Sequence, residues 1–263
     1  MTSATNLTLG GIVTAVIIFL IFPVVVVVVI SFSSGNFLEF PPPGFSMRWY
    51  SRILSDPDWR HSFWVTLQVG SIAAVIATLL GVPAAFSLVR YEVRGKAFIN
   101  SIILSALITP PIVAAISTYL FFVPLGLVNS IIGLAFVHVV GGIPFVVINT
   151  AASLRSSDRT LELAAIIHGA HPIYAVTRIT LPIIAPGIVI GFIFAFVNSA
   201  HELLVSMFLL GGLGKPVSVK LWTEVQSSSD PSIAAASALL IGAAVLIFTV
   251  VVSVQRLIRG SAK

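Results

Sequence analysis

The sequence lacks cysteine altogether and contains little charge. Without cysteine, disulfides, thiolate metal sites and a cysteine nucleophile are excluded. Only 9% of the residues are Asp, Glu, Lys or Arg and 57% are hydrophobic, whereas about 25% of the residues in a soluble domain are charged. The composition therefore excludes an ordinary water-soluble domain and predicts an integral membrane protein whose surface lies largely in lipid.

The sequence also lacks the common signatures of catalysis. It has no phosphate-binding Gly-rich loop ending in Lys, no paired-His zinc motif and no Ser nucleophile elbow. We therefore expect no catalytic residue, no metal and no cofactor on this chain.

Six long apolar blocks are present instead, at residues 10–32, 62–89, 98–122, 128–151, 185–209 and 232–256. Each is long enough to span a bilayer, because a helix crosses the hydrocarbon core with about 20 residues. The prediction is an all-α integral membrane protein with six transmembrane helices in one domain, residues 1–263. The first block is expected to be retained, because no Lys or Arg precedes it as in a signal peptide.

The distribution of Lys and Arg favours one orientation, because positive residues in short loops stay cytoplasmic. With both termini inside, the inner segments carry nine Lys or Arg against three acids, and the outer segments carry five against five. The net charge of +5 therefore indicates membrane topology and not nucleic-acid binding. The inner cations are Arg90, Arg94, Lys96, Arg155, Arg159, Arg178, Arg256, Arg259 and Lys263.

The polar segment 152–184, between the fourth and fifth blocks, is longer than a hairpin needs, since connections in helix bundles usually take about 2–8 residues. Asp158 suits the N-cap of a short helix, and Gly169 can adopt the left-handed conformation that ends one. Pro172 suits the first turn of a second short helix. The sequence predicts a helix-turn-helix here, and we call residues 158–182 the elbow.

The elbow resembles the cytoplasmic loop signature of permease subunits of binding-protein-dependent ABC importers. That signature is Glu-Ala-Ala, three residues, Gly, nine residues, Ile, one residue and Leu-Pro. Leu163 stands at the signature Glu position, and Glu162 precedes it by one residue. The matching positions are Ala164, Ala165, Gly169, Ile179, Leu181 and Pro182.

The resemblance extends over nearly the whole chain. The chain is similar to the polyamine-type branch of this family, which includes spermidine/putrescine permease subunits. The stretches that carry it are Phe45–Tyr50, Leu107–Val113, Gly126–Ser130, Ile143–Phe145 and Phe208–Gly211.

The resemblance implies a permease subunit of an ATP-driven importer in a bacterial inner membrane, with a cytoplasmic coupling loop between spans 4 and 5. It implies four partners. The first is a second permease subunit, which would be a paralogue rather than a copy. Two are ATPase subunits that hold ATP and Mg, and the fourth is a periplasmic solute-binding protein that delivers the solute. The residues expected to contact the ATPase are Glu162, Leu163, Ala164, Ala165, His168, Gly169, Ala170, His171, Leu181 and Pro182.

Two simpler interpretations of the elbow stay open. The segment could be an amphipathic element that lies along the membrane. His168 and His171 could bind a metal or respond to pH, although no carboxylate or thiol completes a coordination set in the sequence around them, so exposed polar residues on a docking surface are favoured.

Glu202 is an acid inside the fifth block, where ionisable side chains usually face a partner or a water-filled path. On a continuous helix, Asn198, Glu202 and Ser206 share one face. We hypothesise that this face lines a substrate path and favours a cation such as a polyamine. The alternative is that Glu202 lies near the outer interface and pairs with Lys215 or Lys220.

Gln68 in the second block and Thr109, next to Pro110 and Pro111 in the third, are further pathway candidates, because broken helices often mark binding regions in transporters. For each, an ordinary helix contact or kink is the competing interpretation. Two other protein classes also stay open, an ion-coupled secondary transporter and a membrane scaffold. A secondary transporter would need an ion relay, for which Glu202 alone is thin support.

Overall fold

The computed structural model describes residues 3–210, 214–228 and 230–260. Gly211 and Lys263 lie outside these ranges. Within them the chain forms twelve α-helices, and its only extended pairing is an isolated bridge between Ser33 and Phe45. The helices are α1 Ser3–Ser31, α2 Arg48–Ser55, α3 Pro57–Arg90, α4 Lys96–Ile108, α5 Pro111–Phe122, α6 Ile131–Ser156, α7 Arg159–Ile167, α8 Pro172–Ala175, α9 Leu181–His201, α10 Leu204–Leu209, α11 Val217–Ser227 and α12 Ser232–Gly260.

The described residues up to 60 and residues 220–247 form one compact unit. The Ser31 hydroxyl lies 2.7 Å from the Tyr50 hydroxyl, which ties the end of α1 to α2. Arg52 forms a 3.2 Å ion pair with Asp230. The sequence places Trp49 among aromatics suited to a membrane interface, but its side chain is buried with the Arg48 guanidinium 4.5 Å from its ring centre. Trp49 therefore belongs to the packing of this unit.

The described residues within 61–219 and 248–260 form the second unit, in which α6 and α9 pack closely. The buried face of α9 carries a small residue every fourth position, Gly187, Gly191, Ala195 and Ser199. A Cβ atom at Gly191 would lie 2.8 Å from the Cα atom of Val146 on α6. Small residues let the two backbones approach, which is how helices associate where lipid removes the hydrophobic driving force.

The third apolar block was predicted as one span, and the structure breaks it in two. Helices α4 and α5 meet at an angle of 101°. Thr109 and Pro110 are extended, with ψ of 125° and 127°, because a residue that precedes proline is disfavoured in the α region. Two consecutive prolines at 110 and 111 therefore exclude a continuous helix.

The fifth block, predicted as one span over 185–209, is also interrupted. Helix α9 ends at His201, Glu202 is extended with ψ of 111°, and α10 begins at Leu204. The expectation of one helical face for Asn198, Glu202 and Ser206 is therefore wrong. We call residues 202 and 203 the α9–α10 break.

The connection between the fourth and fifth spans is shorter than the predicted linker 152–184, because both neighbouring helices extend into that linker. Helix α6 continues to Ser156, and α8 passes through a π-helical turn, Val176–Thr180, directly into α9. The Leu181 amide donates to the Val176 carbonyl, five residues back, so the wider turn stands directly before Pro182, which has no N–H. The predicted second short helix is the first turn of the fifth span.

Five of the described helices are long and apolar enough to cross a membrane, and there are six candidates if α4 and α5 count as one bent span. The prediction of an all-α protein with about six apolar spans is thus confirmed at this level.

Candidate functional site

A cavity of about 650 Å³ lies in the second unit, among α4, α5, α6 and the α9–α10 break. Its size falls within the range of small-molecule sites, about 300–1,000 Å³. The residues that line it are Ala106, Leu107, Thr109, Pro111, Ala114, Ser117, Thr118, Phe121, Phe122, Phe136, Val137, His138, Val140, Gly141, Phe145, Asn198, Glu202 and Val205.

The lining combines aromatic rings with one carboxylate. Four phenylalanines contribute to the wall, and Phe145 is stacked on Phe194 with a ring separation of 6.1 Å. Glu202 is the single ionisable acid of the lining, which includes no Lys or Arg. A carboxylate attracts a cation, and aromatic faces add a further attraction when the cation is desolvated. The cavity is therefore suited to a cation with an apolar body.

Glu202 lies in the break, and its contacts explain why the chain can leave the helix there. Its carboxylate Oε1 accepts a hydrogen bond of 3.1 Å from the amide of Val205 in the first turn of α10. Its carbonyl accepts from the hydroxyls of Ser206 at 2.8 Å and Ser218 at 3.0 Å. Backbone groups freed at membrane depth need such partners, so the break is built into this sequence.

The structure brings together three of the five predicted pathway residues. Thr109, Asn198 and Glu202 line the cavity. Ser206 is fully buried and bonds the Glu202 carbonyl instead. Gln68, half-buried on α3, is not among the lining residues.

The proposed pairing of Glu202 with a lysine finds no support in the structure. Lys220 forms its ion pair with Glu224, at 2.9 Å. In the part of the chain that the structure describes, Glu202 takes part in no ion pair.

His138, which is not among the residues predicted from the sequence, is buried on α6 and lines the cavity. Its Nδ1 lies 2.6 Å from the Ser199 hydroxyl, and its Nε2 lies 3.5 Å from the Ser206 hydroxyl. A histidine in an otherwise apolar block was the available signal. Its partners on α9 and α10 could not be inferred from spacing along the chain.

The first cap and the Gly turn of the elbow form where local sequence signals predict them. Asp158 caps α7 by accepting from the Thr160 amide at 2.8 Å, and this backbone hydrogen bond lowers the pKa of its carboxyl. Gly169 has φ of +92°. The Gly169 amide donates to Ile166 and the Ala170 amide to Ala165, both at 3.0 Å, which is the Schellman pattern of helix termination.

Within the elbow, Glu162 has an internal partner. The Thr180 hydroxyl donates to its Oε2 at 2.7 Å and ties α7 to the π-helical turn. Leu163, at the signature Glu position, is 44% exposed. The acid that the sequence displaces by one residue therefore holds the elbow together, and an apolar side chain takes the outward position.

The exposed surface of the elbow is apolar to an unusual degree for a polar segment. Ile167 is 82% exposed, Ile173 68% and Tyr174 58%. Contiguous exposed apolar residues mark interaction sites. Of the ten predicted contact residues, those exposed are Leu163, Ala164, His168, Gly169, His171 and Pro182, and those partly buried are Glu162, Ala165, Ala170 and Leu181.

His168 and His171 have structural positions in the elbow. His168 is the C-cap of α7, and the His171 Nδ1 accepts from the Ile173 amide at 3.3 Å as the N-cap of α8. Both side chains are exposed.

Residues 77–260 match a family model described as the inner membrane component of binding-protein-dependent transport systems. The chain is 29% identical over 254 residues to the spermidine/putrescine transport system permease protein PotC of Escherichia coli (strain K12), with 97% of this chain and 95% of that protein covered. It is 30% identical over 232 residues to the putrescine transport system permease protein PotI of the same organism, with 86% and 82% covered.

The fold is also similar to a crystal structure of a bacterial ABC transporter involved in the import of the acidic polysaccharide alginate. The TM-score is 0.68 at 19% identity, and 97% of this chain and 98% of that chain are covered. This likeness concerns the fold alone.

Proposed function

Because the chain belongs to the family of inner membrane components of binding-protein-dependent transport systems, we propose that it forms half of the path by which an importer moves a small organic cation. Family membership makes it a multi-pass permease subunit that is not itself an enzyme. In our proposal, two separate ATPase subunits hydrolyse ATP, and a periplasmic binding protein delivers the solute.

The observation that carries the proposal is the Glu202 carboxylate at the α9–α10 break, facing a cavity walled by phenylalanines. The fold does not select the substrate, since a transporter of an acidic polysaccharide shares it. In our proposal the side chains of the cavity select the substrate, and they favour a solute that carries positive charge on an apolar chain. A polyamine has this chemistry, and the names of the relatives PotC and PotI include putrescine.

The elbow is proposed to be the contact with the ATPase. Its outward side chains Leu163, Ile167 and Ile173 are exposed and apolar, which suits a helix seated in a groove of another protein. The Lys and Arg distribution supports a cytoplasmic elbow and cytoplasmic termini. ATP-driven closure of the ATPase subunits would then move α8 and, through the π-helical turn, the fifth span.

The second half of the path is proposed to come from another permease subunit, a paralogue rather than a copy. The choice of a paralogue rests on the similarity to polyamine permease proteins. Glu202 supplies one carboxylate and a diamine has two ammonium groups, so the second subunit would supply a further anionic or polar site.

Substitution of Glu202 by Gln tests the cavity. Uptake of radiolabelled putrescine is measured in vesicles with the assembled transporter, and assembly is checked by co-purification. We expect KM to rise about tenfold or more, since a hydrogen bond to a charged group contributes about 1.5–3 kcal/mol. Glu92→Gln, which removes an exposed carboxylate outside the cavity, is the matched control. Unchanged KM in Glu202→Gln would exclude a pathway role.

A second measurement separates the proposal from a secondary transporter. Uptake should stop when the ATPase subunits are inactivated and persist when the ion gradients are collapsed. Uptake that survives loss of ATP hydrolysis would contradict the proposed function.

A further inference from the structure

We propose that His138 is a positioning residue that holds the α9–α10 break open, so that the Glu202 carboxylate faces the cavity. The proposal rests on the proposed function of that cavity. His138 is 4% exposed and belongs to α6, yet its two ring nitrogens reach serines on opposite sides of the break. It therefore spans an interruption that the backbone itself does not bridge.

The hydrogen-bond pattern assigns a direction to this bridge. The Ser206 hydroxyl donates its proton to the Glu202 carbonyl, so it can only accept from His138. In a neutral ring, His138 Nε2 then carries the proton and Nδ1 accepts from the Ser199 hydroxyl. The bridge runs from Ser199 through the neutral His138 ring and Ser206 to the Glu202 carbonyl, which is the backbone group that the break releases.

The strength of the bridge is unequal at its two ends. The contact of 2.6 Å to Ser199 is a short hydrogen bond, whereas 3.5 Å to Ser206 is at the outer limit. Of the two contacts that His138 makes, the one to α9 is therefore the firmer and the one to α10 is the weaker. A small change in the position of Ser206 would break the second contact while the first persists, so the weaker end of the bridge lies next to Glu202.

The local packing supports a positioning role over ordinary burial. Gly141, one turn after His138 on α6, leaves room for Asn198, whose Nδ2 would lie 3.1 Å from a Cβ atom there. The face of α6 that carries His138 therefore also accommodates a second polar residue of the cavity lining. The imidazole is thus part of a polar face beside the cavity, and its two hydroxyl partners lie on either side of Glu202 along the chain.

Three variants test the role of His138 through KM and Vmax of putrescine uptake by the assembled transporter. His138→Phe keeps a ring and removes both contacts. We expect KM to rise about threefold to tenfold, which corresponds to the loss of one ordinary hydrogen bond, because the 3.5 Å contact is weak. His138→Gln keeps a polar group near the position of Nε2 and should restore part of the affinity. His201→Phe is the control, because His201 is exposed at the end of α9 and does not line the cavity.

The double variant with Glu202→Gln tests whether His138 acts through that carboxylate. We expect His138→Phe to change KM by less than twofold in the Glu202→Gln background, because interacting residues are non-additive. A lower Vmax or less assembled protein with unchanged KM in His138→Phe would overturn the proposal. Equal KM values in the Phe and Gln variants would also overturn it.

A readout that needs no substrate separates this proposal from the proposed function. The chain has no cysteine, so a single Leu203→Cys variant reports the break by its reaction rate with a cationic thiol reagent. We expect His138→Phe to change that rate at least threefold, and Ile167→Cys on the elbow to label at the same rate with or without it. An unchanged Leu203→Cys rate refutes the positioning role, even if Glu202 proves essential. A changed rate supports it, even if Glu202→Gln transports putrescine normally.

Discussion

Substitution of Gly169 is expected to uncouple ATP hydrolysis from transport while the protein still inserts and assembles. Gly169 has φ of +92° at the turn between α7 and α8. A Cβ atom built there meets nothing within 4 Å, so a side chain is opposed by backbone strain and not by a clash. For a non-glycine residue held in such a conformation, the strain is of the order of 1–3 kcal/mol.

The graded series Asn, Ala and Val separates strain from bulk. Asn enters left-handed conformations more readily than other non-glycine residues, and a β-branched residue is a clear outlier there. We expect coupling to fall in the order Gly, Asn, Ala, Val. Since a Cβ atom at this position meets nothing within 4 Å, the order should follow conformational preference. Residue volume would place Asn close to Val.

The assay compares putrescine uptake with ATP hydrolysis by the same reconstituted transporter. In Gly169→Val we expect the ratio of uptake to ATP hydrolysed to fall at least tenfold, because relief of strain would break the hydrogen bond from Ala170 to Ala165 and redirect α8. The quantity of inserted permease should stay within about twofold of the original. Normal uptake by Gly169→Val would refute the argument that the left-handed turn positions the elbow.

Three further substitutions test other parts of the structure. Ile167→Asp should weaken co-purification of the ATPase subunits, because it places a charge at a site whose apolar side chain is 82% exposed, and retention equal to the original would contradict docking there. Thr180→Val removes the donor to Glu162 and should speed proteolysis of the elbow in the isolated permease; an unchanged cleavage rate would show that this bond does not hold the elbow. Gly191→Val should lower the thermal stability by about 1–3 kcal/mol through overpacking against Val146. Gly10→Val should leave the stability unchanged, because a Cβ atom at Gly10 meets nothing within 4 Å. Equal stability of the Gly191→Val and Gly10→Val variants would contradict close α6–α9 packing.

The elbow shows which structural features can be predicted from sequence alone. Asp158, Gly169 and Pro172 act on residues within five positions along the chain, through caps and a left-handed turn. Such interactions depend on local chemistry, so the sequence predicts the cap of α7, the turn at Gly169 and the start of α8 correctly. The sequence does not predict where the elbow ends, because the π-helical turn before Pro182 lets the helix continue where a proline suggested a boundary.

The helix breaks show why apolar blocks do not fix the path of the chain. Pro23, Pro83, Pro144 and Pro186 all lie inside continuous helices, so proline alone does not predict an interruption. The pair at Pro110 and Pro111 does interrupt, since two successive residues lose helical geometry.

The α9–α10 break has no proline, and part of its stability comes from residues distant in the sequence. Glu202 alone could have continued the helix and exposed its carboxylate to lipid or to a partner. Instead, the Glu202 carbonyl accepts a hydrogen bond from Ser218, which lies sixteen residues later in the chain. Ser206 connects this carbonyl to His138, and these two residues are 68 positions apart in the sequence. A break at membrane depth is tolerated only where side chains replace the lost helical hydrogen bonds. The cavity therefore depends on contacts among α6, α9, α10 and α11, which exist only once those helices have packed.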